Sequence, residues 1–341
     1  MELRPLGRTG LHVSTLCLGA FGGWGNEDRE ETGRVIAQAL DAGINFVDTA
    51  DVYGRGESEE ILGRALAGGR RDDVILATKF ADAMGDDPNQ RGMSRRYIVQ
   101  AVDASLRRLQ TDWIDLYQIH HLPPTGDLDE ALGALSDLVH AGKLRCIGTS
   151  NFPAHRIVEA QWISRQRGRE RFVTEQIIYS LLARGAERET FGVCQRYGLG
   201  AMAWSPLGGG WLSGRYRKGR PAPRSVRAGV LPESYDADLP ANLRKLEAAD
   251  ALAELAESAG LTLIELAIGF VLEHPAVAAA IVGARTPEHL ETYLRAAQTR
   301  LSADVLDRID EIVAPGTNVN PDDPGWDPPE IRDAALRRRR A

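Results

Sequence analysis

Eight short apolar runs, most of them rich in β-branched residues, recur along the chain at residues 15–20, 44–50, 74–80, 113–120, 144–150, 172–178, 199–205 and 278–283. Their apolar character is continuous rather than alternating, as expected of strands covered on both faces. Between them, residues 29–41, 94–109, 129–141, 242–258 and 287–297 place aliphatic side chains at i, i+3 and i+4, which predicts helices. Three helix starts are marked: Ser94, Thr262 with Glu265 three positions on, and Thr286 just before Pro287. Most strand ends lie about thirty residues apart, enough for a strand, a crossover helix and two short connections.

Eight such units predict an α/β protein with a closed (β/α)8 TIM barrel. An open doubly wound sheet is the competitor. Against it, no G-x-G-x-x-G follows the first run, and Gly54-Arg-Gly56 meets Glu59 where the third glycine belongs. Ahead of the barrel, residues 3–15 read as an N-terminal β-hairpin turning at Arg8-Thr9-Gly10, a plug for the far end. Residues 85–93 and 207–240 extend loops of the top face, and long loops in compact domains are usually functional. One domain is expected over 1–314, followed by an irregular C-terminal arm, 315–341, that carries Arg337 to Arg340 and reads as a solvated end.

Composition narrows the function. Of 341 residues, 41 are Lys or Arg and 48 Asp or Glu, a formal charge of -7, which excludes a nucleic-acid binder that relies on net positive charge. No apolar run nears the roughly 20 residues of a spanning helix, and no leader pattern opens the chain, so no membrane partner and a cytoplasmic location are expected. Cys17, Cys146 and Cys194 lie far apart in apolar surroundings and read as buried, reduced thiols with no metal-ligand spacing.

Reactive groups of a parallel barrel belong at the C-terminal ends of its strands. Those ends offer Asp48 with Tyr53 five residues on, Lys79, His120, Ser150 with Asn151, Gln176, and Trp204 with Ser205. A phenol, with an ordinary pKa of roughly 10, is a reluctant acid that a neighbouring cation improves, and Lys79 can be that cation. Asp48, one strand over, would keep the lysine charged, and His120 could orient a substrate oxygen toward Tyr53. Such a set is suited to protonating an oxygen that gains negative charge.

Taken singly, each residue has a plainer reading. Lys79 could be a snorkelling lysine or the Schiff-base lysine of a barrel lyase. Trp204 could pack the barrel top, Ser150-Asn151 could cap a helix, and Gly208 to Gly210 could be a flexible turn. His120 and His121 suggest a metal, but successive strand residues point to opposite faces, so they are not expected to share one ion. Phe21 and Trp24, after the first strand, are favoured over Trp113 and Trp211 as pocket walls, which implies an apolar or sugar-ring substrate.

Five motifs occur in one order across nearly the whole chain: Asn45-Phe-Val-Asp48-Thr-Ala-Asp-Val-Tyr53-Gly54, Ala77-Thr-Lys79-Phe80, Asp115-Leu-Tyr-Gln-Ile-His120, Gly142-Lys-Leu-Arg-Cys-Ile-Gly-Thr-Ser-Asn151-Phe, and Trp204-Ser-Pro-Leu-Gly208. In these the chain resembles the aldo-keto reductases. The resemblance implies a (β/α)8 barrel, bound NADPH or NADP+ without a Rossmann domain, a small-molecule carbonyl substrate, and Tyr53 as general acid supported by Lys79, Asp48 and His120. It implies that Ser150, Asn151 and Gln176 hold the nicotinamide carboxamide while Trp204 stacks on the ring and exposes one face. It assigns Ala20, Phe21 and Ser205 to the cofactor cleft, Leu207, Gly208 and Gly209 to the pyrophosphate through backbone N–H groups, and Arg215 as added charge. Gly283 to Tyr293 resembles the family's adenosine-phosphate element, with Arg285 at a helix N-terminus suited to a 2'-phosphate and His289 beside it. At His289, Thr292 and Tyr293 the chain departs from the family's usual Gln or Arg, Glu and Asn. A non-catalytic, cofactor-sensing regulatory subunit is the alternative that such a resemblance leaves open.

Overall fold

A computed structural model describes residues 1–19, 29–123, 126–221, 223, 228–229, 231–236 and 238–321. Ala20, Phe21, Trp24 and Arg337 to Arg340 lie outside the described residues. Two antiparallel strands come first, β1 (Leu3–Pro5) and β2 (His12–Ser14). Eight parallel strands then close a barrel: β3 (Leu16–Gly19), β4 (Phe46–Asp48), β5 (Ile75–Phe80), β6 (Ile114–Ile119), β7 (Leu144–Ser150), β8 (Phe172–Ile178), β9 (Gly200–Trp204) and β10 (Val277–Val282), with β10 pairing back to β3. The fold is the (β/α)8 barrel the sequence predicts, and closure leaves no sheet edge.

Helices Arg29–Asp41, Glu57–Ala65, Arg95–Leu109, Leu128–His140, Ala154–Arg167, Thr190–Tyr197, Pro240–Ser258, Leu263–Glu273, Pro287–Ala296 and Ala303–Ile312 lie between or after the strands. The marked starts are real. The Ser94 side chain accepts from the Tyr97 N–H, Thr262 and Glu265 form a reciprocal capping box, and the Thr286 side chain accepts from the His289 N–H. No single helix among the described residues is long and apolar enough to cross a membrane.

The hairpin plugs the N-terminal end of the barrel. Leu6 and Val13 are fully buried there with Cys17, Phe46, Leu116 and Met202. Gly7 makes this approach possible: it has φ +55, and a Cβ on it would sit 2.6–2.8 Å from the backbone of Val173, Gly198 and Gly200. Cys17 and Cys194 are buried, whereas Cys146 is half-buried; all three are free thiols. Residues 315–321, the described part of the expected arm, run back onto the barrel, where Asn318 bridges to Ala183 and accepts from the Gly185 N–H.

Inside the barrel, side chains two apart on a strand share a face. One layer up from the plug, Phe46 gives way to Asp48, Ala77 to Lys79, Leu116 to Gln118, Thr174 to Gln176 and Met202 to Trp204. Gly148 marks the step on β7, since a Cβ there would meet the Thr174 hydroxyl at 2.0 Å. The interior is thus apolar below, Thr174 apart, and largely polar above, and the polar layer opens at the C-terminal end of the strands.

Candidate active site

Neighbouring strand ends bring Asp48 and Lys79 together. The ammonium of Lys79, fully buried, donates to Asp48 Oδ2 at 2.6 Å and to the Thr49 carbonyl at 2.8 Å, and lies 3.5 Å from the Tyr53 hydroxyl. The other oxygen of Asp48 accepts from Gln176 at 3.0 Å and from Gln118 at 3.3 Å. Both charges are therefore paired and hydrogen-bonded, the condition on which an ion pair is tolerated in a core. Burial would drive the lysine toward its neutral form, but the Asp48 charge outweighs it and the ammonium is held above its ordinary pKa. A lysine so protonated is a poor Schiff-base nucleophile, which needs a neutral amine.

The phenol behaves differently from the sequence expectation. Lys79 was to lower the Tyr53 pKa; in the structure burial raises it, the Lys79 charge only partly offsets this, and Asp48 adds to the rise. Tyr53 is accordingly held as the protonated acid, its proton next to a cation able to stabilise the phenolate left behind. A tight turn presents the ring: Gly54, Arg55 and Gly56 all have positive φ, of 58°, 52° and 100°. At Gly56 a Cβ would fall 2.6 Å from the Arg108 side chain, so only glycine fits.

His120 faces the same space, its ring edge-on to Tyr53 with centroids 5.6 Å apart. Burial lowers its pKa to about 4, so it is a neutral hydrogen-bonding group near pH 7. His121 corrects the expected opposition of the two histidines. The rings stack 4.4 Å apart and both approach Asp82. β6 ends at Ile119, so the strand alternation does not govern this pair.

The predicted nicotinamide residues line the next strand ends. Trp204 Nε1 donates to Asn151 Oδ1 at 3.1 Å, and Asn151 Nδ2 donates to the Ser150 hydroxyl at 2.9 Å. Asn151 sits at φ +56, a left-handed conformation that asparagine tolerates. Glu175, missed in the sequence, organises this turn from behind β8. Its carboxyl accepts from the Thr149 hydroxyl and the Phe152 N–H, and burial pushes it up to about 8. Gln118 was missed as well, although a fully buried polar residue two before His120 on an apolar strand was its signal.

Two expectations for the phosphates fare unequally. The N–H groups of Gly208 and Gly209 already donate within their own loop, to the Ser205 carbonyl at 2.8 Å and the Ser205 hydroxyl at 2.9 Å, so they do not stand ready for an anion. For Arg215, Arg285 and His289 the link is one of charge. Burial, and then the charges of Arg285 and Arg215, lower the pKa of His289 in the first turn of helix Pro287–Ala296. Positive charge near a helix N-terminus favours an anion there.

Comparison with known proteins agrees with the fold. The model of the aldo/keto reductase family matches residues 15–314. The chain belongs to the aldo/keto reductase family. Among its relatives, an uncharacterized oxidoreductase, YrpG, of Bacillus subtilis is 37% identical over 97% of this chain and 99% of its own. Versiconal hemiacetal acetate reductase of Aspergillus parasiticus is 34% identical, covering 92% of this chain and 98% of its own. A protein of Arabidopsis thaliana named as a probable voltage-gated potassium channel subunit beta is 33% identical, over 92% of this chain and 97% of its own. As a member of this family with oxidoreductase relatives, the chain is assigned to the oxidoreductases.

Proposed function

We propose that this chain reduces an aldehyde or ketone to an alcohol with NADPH, with Tyr53 as general acid. The observation that carries the reading is the buried Lys79 ammonium, bonded to Asp48 at 2.6 Å and 3.5 Å from the Tyr53 hydroxyl at the barrel mouth. When bound, the reduced nicotinamide supplies the hydride. Trp204, Asn151 and Ser150 would hold and face its ring, and Arg215, Arg285 and His289 would take the 2'-phosphate that distinguishes NADPH from NADH. The chain's own part is to position and protonate. His120, neutral, orients the substrate oxygen; Tyr53 gives that oxygen its proton; Lys79 stabilises the phenolate that remains, its own charge secured by Asp48.

NADPH oxidation against a carbonyl panel that includes keto-sugars and aromatic aldehydes, with NADH as control, tests the reading. One cofactor consumed per carbonyl reduced, with NADPH preferred, is the expected result. Tight NADPH binding with no turnover across the panel would favour the second reading, a non-catalytic cofactor-sensing subunit, which the relatives named as channel beta subunits favour.

A further inference from the structure

We propose that Asp82 is a positioning residue: it holds the His120 proton on Nδ1, leaves Nε2 as a hydrogen-bond acceptor at the barrel mouth, and so makes the site select carbonyls with a hydroxyl on the adjacent carbon. His120 Nδ1 is buried and lies 2.9 Å from Asp82 Oδ2. An ionised carboxylate can only accept, and at that distance it would repel a ring lone pair, so the nitrogen facing it carries the proton. Both ionisation states are secured. Burial opposes the Asp82 charge, but the two histidines outweigh it and keep the carboxyl well below its ordinary range. Burial, with the Lys79 charge added, keeps His120 neutral near pH 7. A neutral imidazole has one N–H, so with Nδ1 protonated Nε2 presents a lone pair.

The carboxylate is itself braced. His121 Nδ1 lies 2.9 Å from Asp82 Oδ1 and 3.2 Å from Oδ2, and its ring stacks on that of His120, with centroids 4.4 Å apart and planes 14° from parallel. Just before Asp82, Ala81 takes φ +101, a left-handed value that alanine rarely adopts, and its carbonyl accepts from the Gly92 N–H at 2.8 Å. Asp82 is thus placed at a local backbone cost of the kind found at functional sites. The two nitrogens of an imidazole point away from each other. With Nδ1 buried, the 10% of the His120 side chain left exposed belongs to the edge that carries Nε2, on the ring that meets Tyr53. A carbonyl oxygen has no proton to give that nitrogen, whereas a hydroxyl on the next carbon has one. The carbonyl oxygen is left to Tyr53, and His120 orients it through the hydroxyl beside it. An analogue without the hydroxyl leaves the nitrogen unpaired and is bound less well.

The substrate preference rests on the reductase reading above; the tautomer does not, and two measurements keep them apart. In the full chain labelled with ¹⁵N-histidine at pH 7, long-range ¹H–¹⁵N spectra, with the His120 signals assigned by their loss in His120→Phe, should show the proton on Nδ1 in wild type and a move toward Nε2 in Asp82→Leu. NADPH turnover of lactaldehyde against propanal, and of acetoin against butanone, should favour the hydroxylated member in kcat/KM by at least about tenfold in wild type. That ratio should fall at least about fivefold in Asp82→Leu. A His120 proton on Nε2 in wild type would overturn the proposal whether or not the variant folds. So would a wild-type ratio near one, or a variant that slows both members of each pair equally, the mark of a merely structural role. If no carbonyl is turned over, the reductase reading and the substrate preference fall together, and the spectra still decide the role of Asp82.

Discussion

Two layers of one barrel, separated by two residues along each strand, obey opposite rules. In the lower layer Leu6, Phe46, Leu116 and Met202 fill the interior with apolar volume that needs no partner, while the Thr174 hydroxyl beside them donates upward to Gln118. In the upper layer Asp48, Lys79, Gln118 and Gln176 fill a similar cross-section with groups that survive burial only through one another. The lower layer is held by shape, which tolerates substitution of like volume; the upper is held by a closed set of bonds, in which one loss exposes the rest.

The largest expected effect is on chemistry. Tyr53→Phe should lower kcat by about 10²–10⁴-fold while leaving NADPH affinity, measured by fluorescence titration, within twofold. Lys79→Met should do more than slow the reaction. It leaves Asp48 buried without its cation, and urea unfolding should show a loss of about 3–5 kcal/mol that Asp48→Asn in the same chain partly recovers. Recovery would mark the upper layer as a set; equal loss in the single and double variants would break the comparison. In the lower layer Leu116→Ala should cost about 2–5 kcal/mol by the same measurement, yet leave kcat/KM of the folded protein unchanged.

Smaller effects come from pH. Glu175 is raised from 4.5 to about 8, so its folded carboxyl keeps a proton that the unfolded one has lost. Its contribution is complete below pH 4.5 and fades as pH rises through 8. The urea midpoint of the wild type should therefore fall more between pH 6.5 and 9 than that of Glu175→Gln. His120, lowered from 6.5 to about 4, acts with the opposite slope: its contribution is present above pH 6.5 and is lost as pH falls toward 4. His120→Asn should flatten that acid limb.

The same contrast explains what could be read in the sequence. All eight barrel strands were legible because a strand buried on both faces is an uninterrupted apolar run; their ends moved by a residue or two because ladder pairing, not composition, decides where a strand stops. Helix Ala154–Arg167 escaped because the face it buries includes Ala154, Ala160, Gln161 and Ser164, small or polar residues that an aliphatic period does not detect. Helix Glu57–Ala65 escaped likewise, with Ser58 and Glu59 among its buried residues. Helices Thr190–Tyr197 and Ala303–Ile312 were also unanticipated. In the site, Asp48, Lys79 and Tyr53 were legible as charge and phenol at strand ends. The net pKa of Tyr53 was not, because it depends on how far Asp48 cancels Lys79, a matter of distances. Nor was the meeting of His120 and His121 at Asp82, since it depends on β6 ending one residue before them.

The hairpin beneath the barrel has a practical corollary. Its turn exposes Arg8 and Gly10 on the side opposite the mouth, and a Cβ on Gly10 would meet no atom within 4 Å. A linker or dye attached at that turn would anchor the molecule by its floor, so that every copy on a bead or sensor chip stands with its opening toward the liquid.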